Sequence, residues 1–361
     1  MPQVEAWAKV AVDAAFVDTT HGDIACTDCH GGVDESDDMD TAHEGITRDP
    51  DPTATCGECH EAETADHAGS LHSTLEGYTT VLAARSSPEA MPQVMEAYDN
   101  HCASCHTSCG QCHVSRPTSA GGGLLSGHEF RATPPQNLTC TGCHGSRVEN
   151  EYKGKNESPG GAALPADVHY NPGGMACVDC HSEGELHGAE APDATHRYEG
   201  EQLPACTDCH PASEDIDQHT DAHLEKVQCQ VCHTVAYKNC YSCHVQQSDE
   251  GVPYFRTEPS EMAFLIGRNT IQSAERPWDY VTVRHVPIDR DSFAYYGDDL
   301  LPNFDALPTW AFATPHNVQR ETPQNASCDA CHGNAAVFLT EDKIAQDERV
   351  ANQGVVVTEI P

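Results

Sequence analysis

The chain has 361 residues, of which 38% are apolar and 6% aromatic, with 27 glycines, 23 prolines and a formal charge of −38 from 19 basic and 57 acidic residues. So few large apolar side chains struggle to offset the entropy of folding by burial alone, and by themselves they point to disorder. The charge excludes nucleic acid and anionic membrane surfaces as partners, since both would repel it, and it favours basic redox partners.

In chain order, the opening "MPQVEAWAKVAVDAAF" lacks a basic n-region and a continuous apolar h-region, so no signal peptide is evident in this numbering. The run "DESDDMD", residues 34–40, offers carboxylates to calcium but lacks the Gly and terminal Glu spacing of a calcium loop, which leaves a solvated acidic loop as the simpler reading. Residues 66–85 and 89–101 read as helices separated by the break "SSP". "AGGGLL" and "PGGAALP" read as loops. "YVTVRHVPI" alternates enough for a strand. Asn137, Asn156 and Asn325 begin N-x-[ST] triplets, which are common by chance. No run approaches 18 apolar residues, so no membrane-spanning helix is expected.

The cysteines supply the order that composition lacks. All 20 fall into ten C-x-x-C-H units: Cys26, Cys29 and His30; Cys56, Cys59 and His60; Cys102, Cys105 and His106; Cys109, Cys112 and His113; Cys140, Cys143 and His144; Cys177, Cys180 and His181; Cys206, Cys209 and His210; Cys229, Cys232 and His233; Cys240, Cys243 and His244; Cys328, Cys331 and His332. This spacing reads as covalent attachment of c-type haem. Two thiols three apart reach the two vinyl groups on one porphyrin edge, and the next imidazole lies under the iron as the proximal ligand. Zinc sites do not need a histidine after every pair, and a disulfide scaffold shows varied spacings. Ten haems in this length give a core made mostly of cofactor, with the polypeptide as its wrapping. The expected fold is mostly irregular, with short α-helices and little β, as a single domain over 1–361 with loose sub-units 1–125 and 126–361. Short helices are expected to carry several of the motifs.

Thirteen histidines lie outside the motifs. Haem iron takes a second axial ligand or leaves that position open for chemistry. The distal candidates are His21, His43, His67, His72, His128, His169, His187, His196, His219, His223, His285 and His316. His101 is set aside because it abuts Cys102. His219 and His223 stand at i and i+4, so a helix presents both on one face, either to two adjacent haems or to solvent. The six methionines are fewer than the irons and follow no pattern.

Successive motifs begin 30, 46, 7, 31, 37, 29, 23, 11 and 88 residues apart, so there is no repeat of fixed length. The gaps of 7 and 11 require their two porphyrins to lie in near contact, as transfer from haem to haem requires.

With its ten motifs, and with phrases such as "HLEKVQCQVCHTVAYKNCYSCHV" and "TPHNVQRETPQNASCDACHGN", the chain resembles the multihaem c-type cytochromes of anaerobic bacteria and archaea. The resemblance implies an exported electron carrier, outside the cytoplasm at the cell surface or in the periplasm, with haems stacked in parallel and T-shaped pairs. Some relatives polymerise into extracellular filaments in which one axial histidine comes from the neighbouring subunit; here His21 would be that donor. The uneven spacing departs from the decahaem conduits that sit inside outer-membrane barrels. The expected partners are other redox proteins, extracellular acceptors or further copies of the chain. The competing readings are a multihaem reductase of a nitrogen or sulfur oxyanion with one open iron, for which no C-x-x-C-K marker occurs, and a monomeric periplasmic shuttle.

Overall fold

A computed structural model describes residues 5–105, 107–200, 203–211, 216–237, 241–259, 264–286 and 288–361. His106 and Cys240, both expected to take part in haem attachment, lie outside the described residues. The architecture is mixed, with short helices and two small antiparallel sheets joined by long irregular segments. No helix among the described residues is long and apolar enough to cross a membrane.

The residues gather into two compact units that interleave along the chain. Unit 1 comprises Met1–Gly77, Ala103–Gly145 and Cys177–Gln202; unit 2 comprises Tyr78–Cys102, Ser146–Ala176 and Leu203–Pro361.

Unit 1 is held by caps, turns and backbone hydrogen bonds far more than by apolar packing. Its only buried apolar side chains among the described residues are Leu75, Val114 and Ala194. Asp13 caps the 3-10 turn Ala14–Asp18 by accepting from the Ala15 N–H at 2.8 Å, and Ser182 caps the helix Glu183–His187. The expected helix over 66–85 is broken into Glu61–Ala68, Leu71–Thr74 and Glu76–Arg85, the last running on into unit 2. Two local events break it. Ser70 turns extended and caps the next turn through the Ser73 N–H, and Leu75 enters the left-handed region at φ 53°, which no helix interior tolerates.

Unit 2 carries an ordinary apolar core. Strands β1 (Tyr241–Gln247) and β2 (Pro253–Pro259) form a hairpin, and β3 (Phe264–Arg268), β4 (Tyr280–His285) and β5 (Trp310–Phe312) form a sheet in the order β3-β4-β5. The strand expected in "YVTVRHVPI" is β4; it is buried on both faces because it is the central strand. Val231, Ile266, Phe338 and Val357 pack together, and the Leu339 N–H donates to the Ile266 carbonyl at 2.8 Å. At Gly267 a Cβ would come within 2.9 Å of Val283 and Val355 side-chain carbons, so only glycine lets β4 and the C-terminal segment close on β3. Gln228, 1% exposed, has both ends of its amide satisfied: its Oε1 accepts from the Thr282 N–H at 2.8 Å and its Nε2 donates to the Ala313 carbonyl at 3.2 Å. The second expected helix is Met91–His101, with proline in its first turn, where the missing N–H costs nothing.

Replacing Phe338 with Ala should cost about 3–5 kcal/mol, the usual penalty for emptying a packed aromatic site. Urea denaturation followed by far-ultraviolet circular dichroism measures it, and a loss under about 1 kcal/mol would show that this cluster does not support unit 2.

Candidate functional site

The C-x-x-C-H motifs share a local conformation, with one exception. Eight begin on a helical turn, and one more, at Cys102, enters one at its second residue. Cys26–His30, Cys109–His113, Cys140–Cys143 and Cys229–His233 are α-helical, and Cys56–Glu58, Ala103–Cys105, Cys177–Asp179, Cys206–Asp208 and Cys328–Ala330 are 3-10 turns. On a helical turn, residues i, i+3 and i+4 share one face, which brings both thiols and the imidazole to the same side. The turn closes on the motif itself: the N–H of His60, His144, His181, His210 and His332 donates to the carbonyl of its own first cysteine at 2.8–2.9 Å. The ninth motif does not fit this frame, because Cys243 and His244 lie in strand β1.

Beyond the turns, seven motif histidines each face one histidine from outside the motifs. In unit 1 the ring centroids are 6.4 Å apart for His60 and His21, 5.8 Å for His30 and His128, 6.3 Å for His144 and His72, and 6.2 Å for His113 and His187. In unit 2 they are 5.9 Å apart for His210 and His169, 6.2 Å for His233 and His219, and 5.8 Å for His332 and His223. An imidazole nitrogen binds a transition metal at about 2.0–2.1 Å with the ring centre about 1.2 Å behind it, so two rings in trans across one iron have centroids about 6.4 Å apart. Ordinary aromatic contacts span similar distances. They would not sort themselves so that, among the described residues, each of these pairs takes one motif and one non-motif histidine. These residues therefore fit haem closed on both axial faces.

The ring orientations are fixed from behind. Nδ1 of His30, His113 and His233 lies 2.8, 2.6 and 3.1 Å from the carbonyls of Thr47, Arg131 and Gln319. Among the facing histidines, Nδ1 of His72 and His223 meets the Leu186 and Gln218 carbonyls at 3.2 and 2.7 Å, and Nδ1 of His169 meets the Asp167 carboxylate at 2.9 Å. A carbonyl partner fixes the proton on Nδ1 and leaves Nε2 as the lone-pair donor, the arrangement that metal-binding histidines require. Burial pushes His72, His21 and His128 below the usual imidazole range, with nearby histidines adding to it, which keeps them in the neutral form that can ligate.

The other histidines are placed differently. His181 keeps its motif turn, but its Nδ1 bonds the Glu185 carboxylate at 3.0 Å, which raises its pKa. His285 engages Glu348 through Nε2 at 2.9 Å, and its ring lies against Trp310. His316 donates its backbone N–H at 2.7 Å to the buried Glu151 carboxylate, which also accepts from the Tyr237 hydroxyl. Burial would raise that carboxyl, but the hydrogen bonds outweigh it and hold Glu151 below its ordinary value. His101 bonds the Tyr296 hydroxyl through Nε2 at 3.0 Å. His196 lies beside Tyr198, His67 is half-buried within Glu61–Ala68, and His43 is exposed at the end of Met39–Ala42.

Cysteines of motifs distant in sequence come together. Within unit 1 the thiols of Cys56 and Cys109, Cys105 and Cys143, and Cys140 and Cys177 lie close enough to influence one another's titration, as do Cys206 and Cys229 within unit 2. Spacing along the chain gives no sign of the first two contacts. Two more elements were not singled out in the sequence: Phe130, stacked on His21 at 4.0 Å, and Gln136, whose Oε1 accepts from the Cys177 N–H at 2.9 Å. Among the described residues, no three His, Cys, Asp or Glu side chains gather as a bare cation would require. In the acidic run, Asp38 instead caps Met39–Ala42 and Asp34 accepts from the Thr27 hydroxyl. Searches found no matching protein-family model, no matching characterised protein and no matching solved structure.

His285→Ala should cost about 1–3 kcal/mol, because it strips a partner from a carboxylate that is largely buried. Chemical denaturation measures the loss, and an unchanged midpoint would show that the His285–Glu348 pair carries no stability.

Proposed function

We propose that this chain is a decahaem c-type cytochrome that conducts electrons outside the cytoplasm along a row of covalently attached haems, as an electron-transfer protein and not an enzyme. The observation that carries the reading is the set of seven facing imidazole pairs, each uniting a C-x-x-C-H histidine with one from elsewhere in the chain. Bound haem would supply the one-electron couple of its iron, at low potential under bis-histidine ligation.

The chain's own contribution at the seven paired sites is to offer an imidazole to both axial positions and to hold several of those rings through an Nδ1 carbonyl partner, so that little would rearrange when charge passes. The thiol contacts between motifs support close approach of neighbouring sites within each unit. The acidic surface would steer basic redox proteins to the molecule.

We place the protein at the cell surface or beyond it, with polymerisation into a filament as the way to lengthen the path. His21 faces His60 of its own chain, so an axial donor between subunits would have to be another imidazole.

The test is electron paramagnetic resonance on the fully oxidised protein, alongside its intact mass. The account expects low-spin ferric signals from the paired sites and up to ten covalent haems. A defined high-spin fraction in the unaltered protein would favour the reductase reading. His187→Ala should convert about one haem to high spin and leave the rest low-spin, whereas His285→Ala should leave the spin state unchanged. His72→Met should raise one potential in a spectroelectrochemical titration, and an unmoved titration would remove His72 from the ligand set.

A further inference from the structure

The pair formed by His210 and His169 is backed by a charge. At other paired sites, the Nδ1 atoms of His30, His72, His113, His223 and His233 meet backbone carbonyls, which carry no net charge. Nδ1 of His169 instead meets the Asp167 carboxylate at 2.9 Å. Asp167 is 2% exposed, so solvent and salt screen it little. Glu183 approaches Nδ1 of His187 only to 3.9 Å and is exposed, so water screens it.

Contacts other than the imidazole fix this carboxylate. Its Oδ1 accepts the His169 backbone N–H at 2.8 Å, and its Oδ2 accepts the Val318 N–H at 2.7 Å from across the fold of unit 2. The Val168 N–H returns to the Val318 carbonyl at 3.0 Å, and Gln319 Nε2 donates to the Ala166 carbonyl at 2.7 Å. The same short segment serves a second site. The Gln319 carbonyl lies 3.1 Å from Nδ1 of His233, and the Gln319 N–H donates to the His233 carbonyl at 2.7 Å. Val318 and Gln319 thus stand behind two sites at once. They reach that of the Cys206 motif through a carboxylate and that of the Cys229 motif through a carbonyl. The Cys206 and Cys229 thiols also lie close together. A carboxylate buried this deeply is costly unless it answers a positive charge, and oxidation of an iron between His169 and His210 would supply one.

We infer that Asp167 is a positioning residue that, through His169, holds the Cys206 site at a lower reduction potential than the Cys229 site beside it. The inference rests on the haem reading above. Each site passes one electron as its iron moves between ferric and ferrous, and the ferric form carries one more positive charge. A buried negative charge bonded to an axial imidazole favours that form, by direct attraction and by making the imidazole a stronger donor to iron. A backbone carbonyl offers only a dipole. An electron shared by the two sites therefore rests on the Cys229 side, which gives transfer within unit 2 a preferred direction.

Spin state identifies the two haems, and a redox titration of the full chain ranks them. His169→Ala and His219→Ala should each turn one haem high-spin, which marks the low-spin electron paramagnetic resonance signals of the Cys206 and Cys229 sites in turn. In the unaltered protein at fixed pH, the Cys206 signal should be harder to reduce by at least tenfold in equilibrium constant, about 59 mV for a one-electron couple. Asp167→Asn, which removes the charge and keeps an acceptor, should close most of that gap with both haems still low-spin, and Asp167→Glu should preserve it. The ranking in the unaltered protein is a test whether or not the Asp167 variants mature. Reduction of the Cys206 site before or together with the Cys229 site would overturn the inference, as would a gap left intact in a normally matured Asp167→Asn. Absence of covalent haem at either motif by mass, or marking variants that leave every haem low-spin, would overturn the haem reading itself.

Discussion

The arrangement depends on one constraint, that seven motif imidazoles each face an imidazole from elsewhere in the chain. Satisfying it forces residues remote in sequence into fixed positions. His30 meets His128 and His144 meets His72, with ring centroids 5.8 and 6.3 Å apart. The backbone carbonyls of Thr47, Arg131, Leu186, Gln218 and Gln319 hold the outer edges of those rings. Much of the irregular chain thus serves to bring a carbonyl behind a histidine.

The two units differ in how they bury apolar surface. In unit 1 only three apolar side chains are buried among the described residues. In unit 2, Val281, Val283, Phe338, Leu339 and their neighbours make a conventional core on a three-stranded sheet. The low average apolar content of the chain conceals this division. Half of the described buried apolar residues of unit 2 come from the long motif-free span after His244, among them Ile266, Val281, Leu301, Trp310 and Phe312.

What could be read from the sequence was local. Several motifs lie on short helical turns as expected, and His219 and His223, four residues apart, do face two different motif histidines. The pairings of His21, His72, His128, His169 and His187 depend on long-range folding that spacing does not encode. Five of the candidates, His43, His67, His196, His285 and His316, match their neighbours in residue type, and His285 is distinguished from a ligand only by the buried carboxylate of Glu348 beside it. Of the four strands not legible in the sequence, β1 contains a motif whose stronger pattern masks it, and β3 and β5 are only five and three residues long. The long helix expected over 66–85 failed because a capping serine and a left-handed leucine, both local, outweigh helical periodicity.

The most direct measurement is a density map of the purified protein that locates iron by anomalous scattering. The account predicts an iron peak midway between the rings of each pair, from His60 and His21 through to His332 and His223, with Nε2 of both imidazoles directed at it. Pairs with no iron between them, or irons bound by the motif histidine alone, would contradict it.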